Sequence, residues 1–138
     1  MSELEAALAA GRAAAEELMR ETITITRPGV PVFDWDTGTE TPGPVTTIYP
    51  TAGAGRARVK PEKSEGREAE AGEQLVVLRR FTVSLPWSAP MPVRPKPGDV
   101  GDVSTSPDAR MVGLRLWVTG VEYSSTATAW RISMEDRS

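Results

Sequence analysis

Thr22-Ile23-Thr24-Ile25-Thr26-Arg27 alternates polar and apolar residues without a break. A period of two built from β-branched residues is the pattern of a strand with one buried face, so Ile23 and Ile25 are expected to point inward. Pro28-Gly29 and Pro31 end the run, because neither residue type continues a ladder of hydrogen bonds. The same reading extends outward along the chain. Val45 to Tyr49 is a second, shorter strand. Gly55 to Lys60 is a third, with Ala57 and Val59 on one side and Arg56, Arg58 and Lys60 on the other. Leu75 to Leu85 is the longest, carrying Leu75, Val77, Phe81, Val83 and Leu85 on one side, while Val76 and Leu78 make its first half apolar on both faces. Val100 to Ser104 is short. Leu114 to Tyr123 and Thr126 to Glu135 read as a hairpin joined near Ser124-Ser125.

Between these strands lie turns and loops. Asp34, Asp36, Gly38, Pro42, Gly43 and Pro44 mark a loop or loose hairpin. The stretch from Pro86 to Pro97 holds five prolines and predicts an extended crossing. The segment 61–74 breaks every pattern. It holds Glu62, Glu65, Glu68, Glu70 and Glu73 against Lys63 and Arg67, with no apolar side chain larger than Ala after Pro61. Such a segment cannot bury itself on a core, and is expected to be solvated, mobile or ordered by partners.

The first twenty or so residues differ again. Ser2 and Glu5 have the spacing of a capping box, and Leu4, Leu8, Gly11, Ala15 and Leu18 fall on one helical face with Met19 beside them. The stripe is narrow, and fits a helix packed on its own barrel or docked on a neighbouring subunit. With 138 residues, 12 Gly and 12 Pro, the chain fits one domain of short strands and many turns. The expected architecture is mainly β: a small antiparallel β-barrel of six or seven strands over 22–135, an N-terminal α-helix over 1–21, and a long acidic loop at 61–74. Closing the sheet on itself buries its apolar faces and removes its edges.

The residues that most enzymes use are missing. There is no His and no Cys, so the commonest general base, the commonest metal ligand, thiolate sites and disulfides are all excluded. Asp34-Trp35-Asp36-Thr37-Gly38 begins like a calcium loop, but glycine takes the third-ligand place and Val45 stands where the closing glutamate belongs. Gly53-Ala54-Gly55 has Arg58 in place of a third glycine, so no phosphate-binding loop is expected. Asp99, Asp102 and Asp108 read as turn-capping residues rather than a carboxylate cluster. The expectation is a protein that is not an enzyme, with no cofactor and no metal. A net charge of −3 gives no general attraction for nucleic acid. No apolar run reaches the ~18 residues of a membrane span, and Glu3 and Glu5 stand where a signal peptide is basic, which predicts a cytoplasm-like compartment.

What remains is surface. Trp117 and Trp130 lie inside strands and are expected in the core. Trp35 and Trp87 lie in loops, where a large aromatic anchors interfaces, and Met91 sits in the proline-rich crossing beside Trp87. Arg56 and Arg58 form, with Lys60, a basic row that is either a solvated face or a strip against an acidic neighbour.

The order of features over 83–131 carries a resemblance. Val83-Ser84-Leu85-Pro86 leads through the proline-rich crossing to Pro97-Gly98-Asp99-Val100. Then follow Ser104-Thr105-Ser106-Pro107-Asp108, Val112-Gly113, Leu116-Trp117-Val118-Thr119-Gly120-Val121 and Ser124-Ser125-Thr126-Ala127-Thr128-Ala129-Trp130-Arg131. This resembles the small head–tail connector proteins of actinobacterial tailed phages and, with the first Thr-Ile-Thr-Ile-Thr-Arg strand, the wider group of head-closure (stopper) proteins. The resemblance implies a virion structural subunit, assembled in the host cytoplasm, that forms a hexameric or dodecameric ring. Such a ring joins the portal and its adaptor to the tail terminator and tail tube. It also implies a long loop reaching toward the DNA channel, which here is 61–74, with Glu62, Lys63, Glu65, Arg67, Glu68, Glu70 and Glu73 as channel-facing candidates. A ring that DNA must cross should not grip phosphates, and a loop rich in Glu repels them, so DNA passes without specific binding. Two other readings stay open: a tail-terminator or tail-completion protein, and a non-viral β-barrel binding module.

Overall fold

The computed structural model describes residues 2–62, 68–71, 74–77 and 79–137, with 68–71 and 74–77 described by their backbone. Helix α1 spans Glu3–Glu17 and starts on the capping box read from the sequence. The Glu5 amide donates to Ser2 Oγ at 3.1 Å, and the Ser2 amide to Glu5 Oε2 at 3.3 Å. The helix ends earlier than expected, since strand β1 already begins at Glu21 (Glu21–Arg27). The predicted apolar stripe is only half used. Gly11 faces Thr128 and Met19 is buried, while Leu4 and Leu18 remain exposed.

The strands that follow are β2 (Val32–Asp34), β3 (Thr39–Thr41), β4 (Thr46–Tyr49), β5 (Arg56–Pro61), β6 (Glu68–Ala71), β7 (Gln74–Val77), β8 (Arg79–Pro86), β9 (Val100–Thr105), β10 (Arg115–Glu122) and β11 (Ala129–Asp136). A 3-10 turn, Ala109–Met111, sits between β9 and β10.

Six strands close into an antiparallel barrel, as expected, with one additional strand beside them. The ring runs β1, β5, β8, β11, β10, β9 and back to β1. Strand β1 makes closure possible. One edge pairs with β9 from Thr22 to Thr26, while the other pairs with β5 at Glu21–Thr22 and with the extra strand β4 at Ile25–Arg27. The inward rows of the barrel strands are mainly apolar: Ile23 and Ile25, Ala57 and Val59, Val83 and Leu85, Val103, Leu116 and Val118, Ile132 and Met134 are all buried, with Asp136 ending the row of β11. In a barrel this small, large residues must face small ones. Gly101 fills that role, because a Cβ there would meet Ile23 Cδ1 at 2.8 Å and Met134 Cε at 3.3 Å.

Leu75 to Leu85 falls in β7 and β8, with position 78 outside the described residues. Two expectations need correction. The segment 61–74 is not wholly loop, since β6 lies in it and pairs with β7, Glu68 opposite Val77 and Glu70 opposite Leu75. Local pairing with the apolar stretch that follows satisfies backbone groups without any call on the core. Trp117 is not a core residue. Leu116 and Val118 take the inward positions, so Trp117 lies on the outer face, where Arg137 sits 5.4 Å over its ring. Trp130 does pack, partly buried, against the core.

Candidate interaction surface

The three aspartates that lie close in sequence do not converge in space. Each has its own arginine. Asp99 pairs with Arg27 at 2.8 Å, Asp102 with Arg115 at 3.1 Å, and Asp108 with Arg110 at 2.9 Å. Two of them also cap turns, as expected: Asp99 accepts the Lys96 amide, and Asp108 accepts the Arg110 amide at the start of the 3-10 turn. Hydrogen bonds from Arg110 hold the Asp108 carboxyl below its ordinary range, and Asp99 pushes the Arg27 guanidinium above its own. Among the described residues, no group of three acidic, His or Cys side chains is disposed to hold a metal ion.

The interface candidates go to separate places. Strands β2 and β3 form a two-stranded ribbon outside the barrel sheet, confirming the loose hairpin. Trp35, 87% exposed, follows β2 on this ribbon, its ring 4.7 Å from that of Phe33 in a T-shaped pair. Val30 and Val32 extend the same apolar exposure.

Arg56 reaches the helix. Its guanidinium donates to the Glu16 carbonyl at 2.7 Å, at a C-terminus whose last turn has no basic residue of its own. Arg58 lies half-buried on the outer face of β5, opposite Ser84. Met91 is partly buried against the core. Trp87 meets the helix, with the Arg12 guanidinium 4.3 Å over its ring.

Of the acidic candidates, Glu62 is exposed and accepts a hydrogen bond from Thr82 Oγ1 at 3.0 Å. Glu68 and Glu70 lie in β6. Lys63, Glu65, Arg67 and Glu73 fall outside the described residues.

A groove that sequence reasoning missed opens where β8 ends and the β10–β11 hairpin turns. Trp87, Tyr123, Trp130, Ala127 and Ala129 line a cavity of about 310 Å³, with Glu122 as its acidic member. Tyr123 and Trp130 meet edge to face at 6.1 Å. Arginines lie against this lining. Arg12 covers Trp87 and donates from Nε to the Ala127 carbonyl, and Arg94 sits 5.9 Å over Tyr123. The aromatic residues were visible one by one, but no local spacing brings positions 12, 87, 94, 123 and 130 together.

Fold and surfaces together define a class: a small closed barrel whose own side chains fill its core, bearing an aromatic ribbon and an arginine-flanked aromatic groove on the outside. The chain belongs to a family of unknown function, DUF6093, which matches it over residues 11–135. No curated protein and no solved structure matches it.

Proposed function

We propose that this chain is a ring-forming structural subunit of a tailed-phage head–tail connector, a head-closure (stopper) protein between the portal and adaptor on one side and the tail on the other. The observation that carries the reading is the division of labour in the fold. The barrel core is closed on itself, and what the chain presents outward is strand ribbon: β2–β3 with exposed aromatics, and β6–β7, whose first strand reads Glu-Ala-Glu-Ala. Ribbons outside a rigid barrel suit contacts between subunits and with neighbouring layers rather than turnover of a substrate. The connector-like order of features over 83–131 supports a place at the head–tail junction for that assembly.

In such a ring, the acidic stretch around β6 faces the path of DNA. Carboxylates make no counterion-releasing contacts with phosphates, so the genome is retained by the bore and slides without being gripped. The chain is structural in this reading, with no catalytic residue.

Locating the chain in an image reconstruction of the particle tests the proposal. Density between portal and tail tube is the expected result, with portal and tail-tube genes flanking this one. Density in the capsid shell or at the tail tip overturns it. Binding to the tail-tube protein without binding to an adaptor replaces it with the tail-terminator reading.

A further inference from the structure

We infer that the Phe33–Trp35 face of the β2–β3 ribbon seats in the Trp87–Tyr123–Trp130 groove of a second copy of this chain, a head-to-tail contact. The inference rests on the ring reading above and names the contact that builds the ring.

Two surfaces on one chain fit each other in chemistry and charge. The ribbon offers two large aromatics, Phe33 at 45% and Trp35 at 87% exposure, packed on each other. Trp35, being almost wholly exposed, can remove roughly 150–250 Å² from water and Phe33 about half as much, which marks the pair as an anchor rather than scattered surface residues. Asp34, Asp36 and Glu40 surround them on the ribbon, with no basic residue between 28 and 45.

The groove is the counterpart. Its walls are aromatic, its volume is about 310 Å³, and it is open to solvent in the single chain. Arg12 and Arg94 lie over two of its rings, and Arg131 lines the cleft that adjoins it, against one acid, Glu122. An acidic ribbon with an aromatic knob meets an arginine-flanked aromatic cleft, so charge steers the register while the rings supply affinity.

The two surfaces are different patches. A contact between them is therefore heterologous, and heterologous contacts generate rings when their rotation closes. A two-fold dimer that seats each ribbon in the other copy's groove stops at two chains, whereas a head-to-tail contact leaves a free ribbon and a free groove at its ends and grows beyond two.

The test uses two variants of the full chain, Trp35→Ala and Tyr123→Ala, followed by sedimentation velocity over a concentration series. Both side chains are exposed, so matching thermal unfolding curves serve as the folding control. Wild-type chains are expected to self-associate, more weakly as salt rises. Each variant alone is expected to associate roughly 30-fold more weakly, as loss of an anchor residue predicts. The mixture is decisive. One variant keeps its groove and the other keeps its ribbon, so together they form a one-to-one dimer and nothing larger.

Self-association of either variant at wild-type strength, or a mixture that stays monomeric while the wild type associates, overturns the inference. So does a wild-type chain that remains monomeric throughout, although the connector reading then still stands on its position in the particle. If Trp35→Ala chains self-associate normally but fail to enter particles, the occupant of the ribbon is another neck protein and the second copy is ruled out. Density in the capsid shell removes the connector reading without touching the contact.

Discussion

Arg27 holds Asp99 by both carboxylate oxygens, Nε to Oδ1 at 2.8 Å and a terminal nitrogen to Oδ2 at 3.0 Å, with Asp99 only 1% exposed. The same terminal nitrogen donates to the Arg94 carbonyl, and the Lys96 amide donates to Asp99 Oδ2. One ion pair thus ties the end of β1 to the proline-rich crossing just before β9. Asp99 also carries backbone bonds of its own, accepting the Val118 amide at 2.8 Å.

Replacing Arg27 should therefore cost more than an ordinary surface change. Arg27→Met leaves a buried carboxylate without its cation, and a loss of about 3 kcal/mol is expected. Asp99→Asn, which keeps an oxygen acceptor in place, should cost less. Urea unfolding of the two variants checks the order. A wild-type midpoint for Arg27→Met would show that the pair orders the crossing without stabilising it.

Glycine replacements separate three kinds of space. At Gly55 an added Cβ would stand 2.2 Å from the Ile23 carbonyl oxygen, a backbone atom that β1 cannot move. At Gly101 the nearest obstacles are side-chain ends on Ile23 and Met134, which can shift. At Gly120 nothing lies within 4 Å. Gly55→Ala should unfold the protein or come close to it, and Gly101→Ala should cost about 1–3 kcal/mol as overpacking does. Gly120→Ala should fall within ~1 kcal/mol of the wild type. Thermal unfolding of the three ranks them.

The helix is held by few contacts, and its fraying should be separable from barrel unfolding. Its polar ties to the barrel include Arg12 on Trp87 and on the Ala127 carbonyl, Arg56 on the Glu16 carbonyl and Ser88 on the Glu16 carboxylate. Arg56→Ala should weaken the helix by about 0.5–1 kcal/mol, since it removes both a donor and a cation from the C-terminus. Hydrogen exchange is the appropriate measurement. Amides of Glu3–Glu17 should exchange faster in Arg56→Ala and in Trp87→Ala, while those of the barrel strands keep their protection.

Tyr49 sets an alkaline limit on stability. The residue is 4% exposed, and its hydroxyl donates to the Arg56 carbonyl at 2.6 Å. Burial raises its pKa above the ordinary value, with the nearby Arg56 charge working the other way. A group whose folded pKa is raised stabilises fully below its unfolded pKa of ~10 and loses that contribution as pH rises through the folded value. Tyr49→Phe should lose about 1 kcal/mol at neutral pH and show a flatter alkaline limb. An equally steep fall in both proteins would assign the limb to other groups.

What the sequence determined by itself is local. The alternation at Thr22–Arg27, the capping box at Ser2 and Glu5, the hairpin around Asp34–Gly38 and the final strand pair all come from neighbours within a few residues, where period and turn chemistry speak directly. It also lacks the histidine and cysteine on which most catalytic and metal chemistry draws. The segment 61–74 was harder, because a Glu-Ala-Glu-Ala strand has no apolar face to announce it and forms through its pairing with β7.

Only the tertiary structure decided which edge of β1 meets β9 and which meets β5 and β4, and so that the sheet closes. It put Trp117 outside and Trp130 against the core, joined Arg27 to Asp99 across 72 positions, and assembled a groove from residues near 12, 87, 94, 123 and 130. The physical reason is the same in each case. A strand's period says that one face is buried, but which partner lies across it is set by long-range packing, and a one-residue change of register exchanges the inner and outer rows.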